Sequence, residues 1–242
     1  MTPQTHPLPT RRAALGLMAS AVAAAGSLGI AGCDPRTLMY FLQPDGVEIP
    51  APGPDLKEKK VVVLTTASPT ASSDYQNIDR EITREVINLL REKVKKIEIV
   101  PTEKVAAWVE AHPTWSDRGE IIKAFEADAI IYFEIQSFSI EDPRSPGMLE
   151  GNAEINIRVS EHGHPKTSKG KVMKSAPKET KETYSEDWKT TFPRNAPISL
   201  DQGVSKPVFK SKFVKIVSSE LSWQFTGHNH GDDIQDSKFA SR

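Results

Sequence analysis

The residue with the clearest chemical potential is Cys33, the only cysteine in this chain of 242 residues. Because it has no partner thiol, it cannot form an internal disulfide and cannot belong to a CxxC redox or zinc motif. It follows directly after residues 13–32, a stretch of twenty residues without a charge. A lone thiol at the end of an apolar stretch indicates a residue that works at a membrane.

The first 32 residues have the organisation of a secretory signal. The only charges before the apolar stretch are Arg11 and Arg12, so a basic segment, an apolar segment and small residues follow one another. Thr10, the Arg pair and Leu15 also resemble a twin-arginine signal, and both export routes stay open. An uncleaved transmembrane helix is the alternative, because about 20 apolar residues can span a bilayer. The stretch is mostly Ala, Gly and Ser, which insert weakly, so we expect a cleaved signal peptide.

The end of this signal resembles the lipobox of bacterial lipoproteins. Ile30, Ala31 and Gly32 precede Cys33, in the order of that motif. The resemblance implies that the thiol receives a diacylglycerol, that the signal is cut before Cys33, and that the new amino terminus is acylated, with palmitate for example. Two or more acyl chains make membrane attachment effectively permanent. We expect a lipid anchor in the bacterial cell envelope, facing the periplasm, and Asp34 does not decide between the inner and outer membrane.

The charge balance of the chain beyond Cys33 is weakly acidic. All 32 acidic residues lie there, whereas Arg11 and Arg12 are removed with the signal. This part of the chain has no excess of basic residues. Its charge therefore does not indicate binding to nucleic acid or a second electrostatic contact with the membrane. The expected partners are membrane lipid, through acylated Cys33, and envelope proteins of unknown identity.

A cluster near the carboxyl terminus is the candidate for metal chemistry. His228, His230, Asp232 and Asp233 could ligate Zn²⁺ and support a metal-dependent hydrolase. They follow the last predicted helix, without the rigid surroundings that orient catalytic ligands, so a solvated tail is the favoured interpretation. The sequence contains no P-loop, GxSxG, HExxH or GxGxxG motif. We expect no catalytic residues, no metal and no cofactor.

These two ends flank a region with helix and strand patterns. Residues 33–59 contain five prolines and are typical of a semi-rigid linker. Strands are predicted at residues 60–65 and 97–100, and between them an amphipathic helix runs from a capping box at Ser73 to about Lys93. Two short helices follow, capped by Thr102 and Ser116.

The second half of the region is predicted to be mainly β. A long strand from Ala129 and a strictly alternating strand from residue 149 to 159, joined by a short turn, predict an antiparallel hairpin. Residues 171–173 are a possible third strand, and residues 175–203 are predicted to form a long surface loop. The last helix begins after Ser205 and carries an apolar stripe to Phe225, and residues 227–242 are predicted to be a flexible tail.

This element order predicts an α/β (α+β) domain over residues 60–226, with helices on one face of a mixed sheet of about four to five strands. Residues 60–64, the amphipathic helix and residues 97–100 and 125–131 resemble a domain of bacterial envelope proteins. It is shared by the curli secretion channel lipoprotein, the penicillin-binding-protein activator lipoproteins and the amino-terminal domain of the Tol-system β-propeller protein. The resemblance implies a single three-layer domain, similar to the anticodon-binding domain of class II tRNA synthetases. Glu126 stands where that group usually has Gly.

The resemblance implies a non-enzymatic role, as a protein-binding accessory or adaptor subunit of a wall, secretion or outer-membrane assembly. A periplasmic module for a small ligand or glycan is the first alternative, and it requires a pocket lined by Trp108, Trp115 and Trp188. The metal-dependent hydrolase is the second alternative.

Overall fold

The computed structural model describes residues 48–142, 144–164, 173 and 175–229. The predicted signal, the lipobox, Cys33 and the first part of the predicted linker lie outside the described residues. So do His230, Asp232, Asp233 and residues 171–172 of the possible third strand, whereas Met173 is described and is not in a strand.

The centre of the fold is a mixed sheet of six strands. Its strands are β2 (Lys60–Ala67), β3 (Glu98–Ile99), β4 (Ala129–Glu141), β5 (Met148–Gly163), β6 (Glu179–Phe192) and β7 (Ile198–Ser199). The order is β3-β2-β4-β5-β6, and β7 pairs with one end of β5. The β2 strand is parallel to β3 and β4, whereas β4, β5 and β6 are antiparallel. The predicted hairpin of β4 and β5 is confirmed.

Within the described residues, five α-helices cover this sheet. They are α1 (Pro69–Asp74), α2 (Ile78–Lys93), α3 (Thr102–Ala111), α4 (Arg118–Ala124) and α5 (Lys206–Thr226). The first face of β2 presents Val61 and Val63 to α2 and α5. The second face presents Val62 to α3 and α4, so the helices lie on both faces and not on one. Two buried faces explain why β2 is continuously apolar. The predicted fold class is confirmed, with six strands in place of four or five.

The helix predicted from Ser73 begins elsewhere. Ser68 caps α1 instead, with its hydroxyl oxygen accepting a hydrogen bond from the backbone N–H of Ala71 at 3.2 Å. Pro69 follows at the first helical position, where its missing N–H has no cost. The chain then turns at Asn77, whose φ of 64° is left-handed, and α2 begins at Ile78. Ser73 lies near the end of α1, so the amphipathic helix is correct but its start is not.

The prediction of a surface loop over residues 175–203 is wrong, because this segment contains the 14-residue strand β6. Its apolar positions Tyr184, Trp188 and Phe192 face the core of α2 and α5, partly or fully buried. They recur every fourth residue, because Glu186 and Thr190 occupy the positions between them on the same face. The alternation that identifies a strand is therefore hidden.

The structure extends the domain at both ends of the predicted range 60–226. A short strand β1 (Glu48–Ile49) pairs with β8 (His228–Asn229) just after α5. The backbone N–H of Gly53 donates to the carbonyl of Gln224 at 2.8 Å, and Leu56 is fully buried in the main core. Residues 48–59 are thus part of the domain and not of the linker. Their prolines suppress regular structure but do not prevent packing.

Glu126 has a φ of 50°, in the left-handed region. It lies between α4 and β4, where the chain reverses before the buried residue Ala127. A residue with a Cβ is strained in this conformation, whereas Gly is not. The resemblance noted from the sequence has Gly at this position, and the backbone explains why Gly suits it.

Candidate functional site

One face of the antiparallel half of the sheet is polar and open. On β5, Ala153, Ile155 and Ile157 are buried against the core of α2 and α5, so the residues between them face the opposite side. No described helix lies over that side near the middle of β5. We call this surface the polar platform. It consists of Gln136, Asn152, Glu154, Asn156, Asp187, Lys189 and Thr191.

Cross-strand hydrogen bonds hold the platform side chains in rows. The amide of Gln136 donates to the side-chain oxygen of Asn156 at 3.3 Å, and the Asn156 amide donates to the carboxylate of Asp187. This row joins β4, β5 and β6 across the sheet. Side chains already tied to their neighbours lose less conformational entropy when a partner binds.

Two further rows run parallel to the first. The Lys189 ammonium donates to Glu154 at 2.8 Å, and the Thr191 hydroxyl donates to Asn152 at 2.8 Å. Acidic, basic, amide and hydroxyl groups therefore alternate over one exposed face of the sheet. The charged groups are opposed by partners, and the arrangement suits recognition by hydrogen bonding.

Beyond the platform, β6 is the last strand of the sheet. Its inner side pairs with β5 over the full length, from Phe192 opposite Gly151 to Glu179 opposite Gly163. No described strand pairs with its outer side. Edge strands leave backbone N–H and C=O groups free to pair with another chain. The described part of the chain thus presents a long edge next to a polar face.

Helix α4 closes one end of the platform. Arg118, its first residue, forms an ion pair with Glu182 on β6 and donates to the Ser160 hydroxyl on β5 at 3.2 Å. The same guanidinium lies 5.8 Å from the ring centroid of Tyr132 on β4, within the range of a cation–π interaction. Trp115 meets the Tyr132 ring edge to face at 6.4 Å. One arginine therefore ties the helix to three strands.

Two open grooves lie on the opposite side of the domain, around the start of α5. One of 260 Å³ runs between α2 and α5, and one of 540 Å³ is bordered by Tyr75 and Ile140. In the groove between α2 and α5, the Lys210 ammonium donates to the Glu81 carboxylate at 2.7 Å, so the cation that lines it is already paired. Burial raises the pKa of Tyr75, although its hydroxyl oxygen accepts a hydrogen bond from the backbone N–H of Ile140 at 3.3 Å.

The three tryptophans of the glycan alternative do not meet. Trp108 and Trp115 pack on the cluster beneath α3 and α4, and Trp108 stacks on His112 at 4.3 Å. Trp188 packs on the core of α2 and α5, on the other face of the sheet. Neither of the two grooves is lined by any of them. The shared aromatic pocket that this alternative requires is not formed by these residues.

The one described member of the carboxyl-terminal metal cluster is His228. It belongs to β8, opposite Ile49, and its ring stacks on Trp223 at 4.2 Å. Its position in the domain differs from the solvated tail predicted from the sequence, because β1 and α5 provide packing surfaces. Among the described residues, no three His, Cys, Asp or Glu side chains are grouped to hold a metal ion.

No helix in the described ranges has both the length and the apolarity to cross a membrane.

The sequence predicted the three platform residues of β5. The strict alternation of β5 places Asn152, Glu154 and Asn156 on a solvent-facing side, as predicted. Asp187, Lys189 and Thr191 were missed, because they lie in the segment predicted as a loop. The signal that could have found them is the recurrence of Tyr184, Trp188 and Phe192 every fourth residue, which is compatible with one strand face.

No protein-family model and no curated protein matches this chain. Among solved structures, the PelC dodecamer of Paraburkholderia phytofirmans is 12% identical, with a TM-score of 0.40, covering 75% of this chain and 97% of that one. Lipoprotein GNA1162 of Neisseria meningitidis is 12% identical, with a TM-score of 0.36, covering 67% of this chain and 97% of that one. A minor lipoprotein of Acinetobacter baumannii is 6% identical, with a TM-score of 0.26, covering 69% and 91%. At these TM-scores the similarities carry no argument about this chain.

Proposed function

We propose that this chain is a lipid-anchored protein of the bacterial envelope that acts as a non-enzymatic accessory or adaptor subunit, binding another envelope protein through the polar platform. The lipobox ending at Cys33 and the signal before it support the location. The observation that carries the binding role is the platform itself, a polar face of the sheet that no described helix covers.

The chemistry of the platform supports recognition in preference to catalysis. Its carboxylates, Glu154 and Asp187, accept hydrogen bonds from Lys189 and Asn156. Catalytic sites are commonly concave and exclude water. The platform is open, and its side chains present donors and acceptors at fixed positions. A partner with a complementary polar surface is the ligand that such a face fits.

Photo-crosslinking in living cells tests the binding role. The crosslinking residue is placed at Gln136 or at Glu154, two exposed platform positions on neighbouring strands. The matched control is Arg91, which is exposed on α2 beyond the other face of the sheet. We expect Gln136 and Glu154 to capture the same envelope protein and Arg91 to capture none. Capture of unrelated proteins from the two platform positions would contradict the proposal.

The anchor is tested separately. Cells grown with an alkyne analogue of palmitate should label the wild-type chain, and Cys33→Ser should remain unlabelled because the acceptor thiol is lost. Equal labelling of the two chains would refute the lipid anchor while leaving the platform proposal intact. Fractionation should also move Cys33→Ser out of its wild-type membrane position.

A further inference from the structure

The outer edge of β6 has a regular stretch of nine residues. The register against β5 shifts between Val159 and Ser160, so that Thr183 is an extra residue in β6. From Tyr184 to Phe192 the pairing is uninterrupted. At about 3.4 Å per residue this stretch is roughly 30 Å long, which is enough for a complete antiparallel ladder. A bulge of this kind ends regular pairing, so an added strand would be limited to these nine residues.

A second copy of the same strand can pair with this edge in few ways. Residues directly opposite each other in an antiparallel pair have side chains on the same face, and successive residues alternate between faces. A two-fold axis between identical strands must therefore set one residue opposite its own copy. Choosing that central residue fixes every other pair.

Repulsion between like charges excludes several residues as the central residue of the pairing. An axis at Glu186, Asp187 or Lys189 would place two like charges directly opposite each other, which is destabilising. An axis at Trp188 avoids this. It is also the only axis that pairs all nine residues of the regular stretch, because Trp188 is the middle of residues 184–192.

The pairs created by this axis are complementary. Asp187 of one copy lies opposite Lys189 of the other, and the symmetry forms this pair of opposite charges twice. Both residues are exposed, on the platform face. On the other face, Glu186 is opposite Thr190, and the half-buried Trp188 is opposite its own copy. Opposite charges and paired aromatic rings are the cross-strand neighbours that stabilise a sheet.

We propose that two copies of this chain associate through an antiparallel β6–β6 pairing with its two-fold axis at Trp188. The two sheets become one, and because the axis is perpendicular to the sheet, both polar platforms lie on the same side. Lys189, which on an isolated edge discourages pairing with unrelated strands, is neutralised in this pairing. The dimer is independent of the partner protein proposed above.

The first test exchanges the charges. Asp187→Lys and Lys189→Asp each place like charges opposite each other twice, whereas the double variant restores opposite charges. Sedimentation equilibrium of the full mature chain in density-matched detergent should show a dimer for the wild type. Each single variant should dissociate at least about tenfold more readily, and the double variant should recover. Lys181→Glu, a charge reversal outside the nine residues, is the matched control and should keep the wild-type dimer.

The second test fixes the register. In this pairing Ser185 of one copy is opposite Thr191 of the other, and opposite residues lie within the Cα separation that a disulfide spans. The variant Ser185→Cys/Thr191→Cys should form a disulfide-linked dimer in the membrane. The wild type and each single variant should not, because equal positions in the two copies are then about 20 Å apart.

A wild type that stays monomeric over the concentration series would overturn the proposal, as would a dimer unaffected by either single charge change. A disulfide dimer of Ser185→Cys alone would overturn the register. Circular dichroism of each variant separates dissociation from unfolding. The two proposals fail separately: a partner adduct from Gln136 in a wild type that stays monomeric keeps the proposed function, and a wild-type dimer without such an adduct keeps the β6–β6 pairing.

Discussion

Leu56 decides whether the proline-rich segment before β2 is a tether or a part of the domain. From its composition, the segment is predicted to be a linker, but the Leu56 side chain is fully buried in the main core. Replacing a buried leucine by alanine removes its transfer free energy and leaves a cavity. The cost is about 2–5 kcal/mol. If the segment were only a tether, the same substitution would leave the free energy of unfolding unchanged.

We expect Leu56→Ala to lie at the lower end of this range, about 2–3 kcal/mol, because a segment with little regular structure can partly collapse into the cavity. Lys57 is exposed next to it, so Lys57→Ala is the matched control and should change the free energy of unfolding by no more than about 0.5 kcal/mol. Both are compared with the wild type by urea unfolding followed through tryptophan fluorescence.

With a urea dependence of about 2 kcal/mol per molar, the midpoint of Leu56→Ala should fall by about 1–1.5 M at an unchanged slope. A midpoint within about 0.25 M of the wild type would refute the packing of residues 48–59, and with it the extended boundary of the domain.

Three further changes test the packing, the backbone and the pH response. A Cβ on Gly151 would lie 2.6 Å from the Phe213 ring, so Gly151→Ala should lower the free energy of unfolding by about 1–3 kcal/mol, and adding Phe213→Leu should restore part of it. An unchanged midpoint would contradict this close approach. Glu126→Gly should raise the free energy by up to about 1 kcal/mol, because relief of left-handed strain exceeds the added chain entropy; a loss would count against that conformation. The Arg144 backbone N–H holds the pKa of Asp142 below its usual value, so this stabilisation exists above the ordinary aspartate pKa and is lost as pH falls through the lower folded-state pKa. The gap in urea midpoint between the wild type and Asp142→Asn should therefore narrow from pH 7 to pH 3, and an equal gap at both would contradict it.

Most helices and strands could be predicted from the sequence, because their apolar residues recur at helical or strand spacing. The alternation of β5 and the helical spacing of α2 each follow from side chains that face a core. The start of α2 was misplaced because Ser68 and Pro69 offer a second helix start only five residues before Ser73. The order of elements predicted helices on one face of the sheet, which is wrong, because Val62 on the second face of β2 is buried beneath α3 and α4.

Two features leave only a weak signal in the local sequence pattern. The edge strand β6 has Glu186 and Thr190 at positions that face the helices, so its hydrophobic signal is interrupted. The pairing of β1 with β8 joins Ile49 to His228, far apart in the chain, and each strand has only two residues. The rows of the platform depend on the register between β5 and β6. Because β6 was not predicted from the sequence, the rows could not be predicted either.

Photo-crosslinking from Glu154, in cells with the wild-type anchor, shows whether the polar platform binds an envelope protein. The measured quantity is the fraction of the chain that moves into one adduct, compared with the fraction obtained from Arg91. We predict a single adduct from Glu154, shared with Gln136 and lost when an excess of the chain lacking the crosslinking residue is co-expressed and competes for the partner. Equal adducts from Glu154 and Arg91, or none from Glu154, would mean that the platform is not the binding surface.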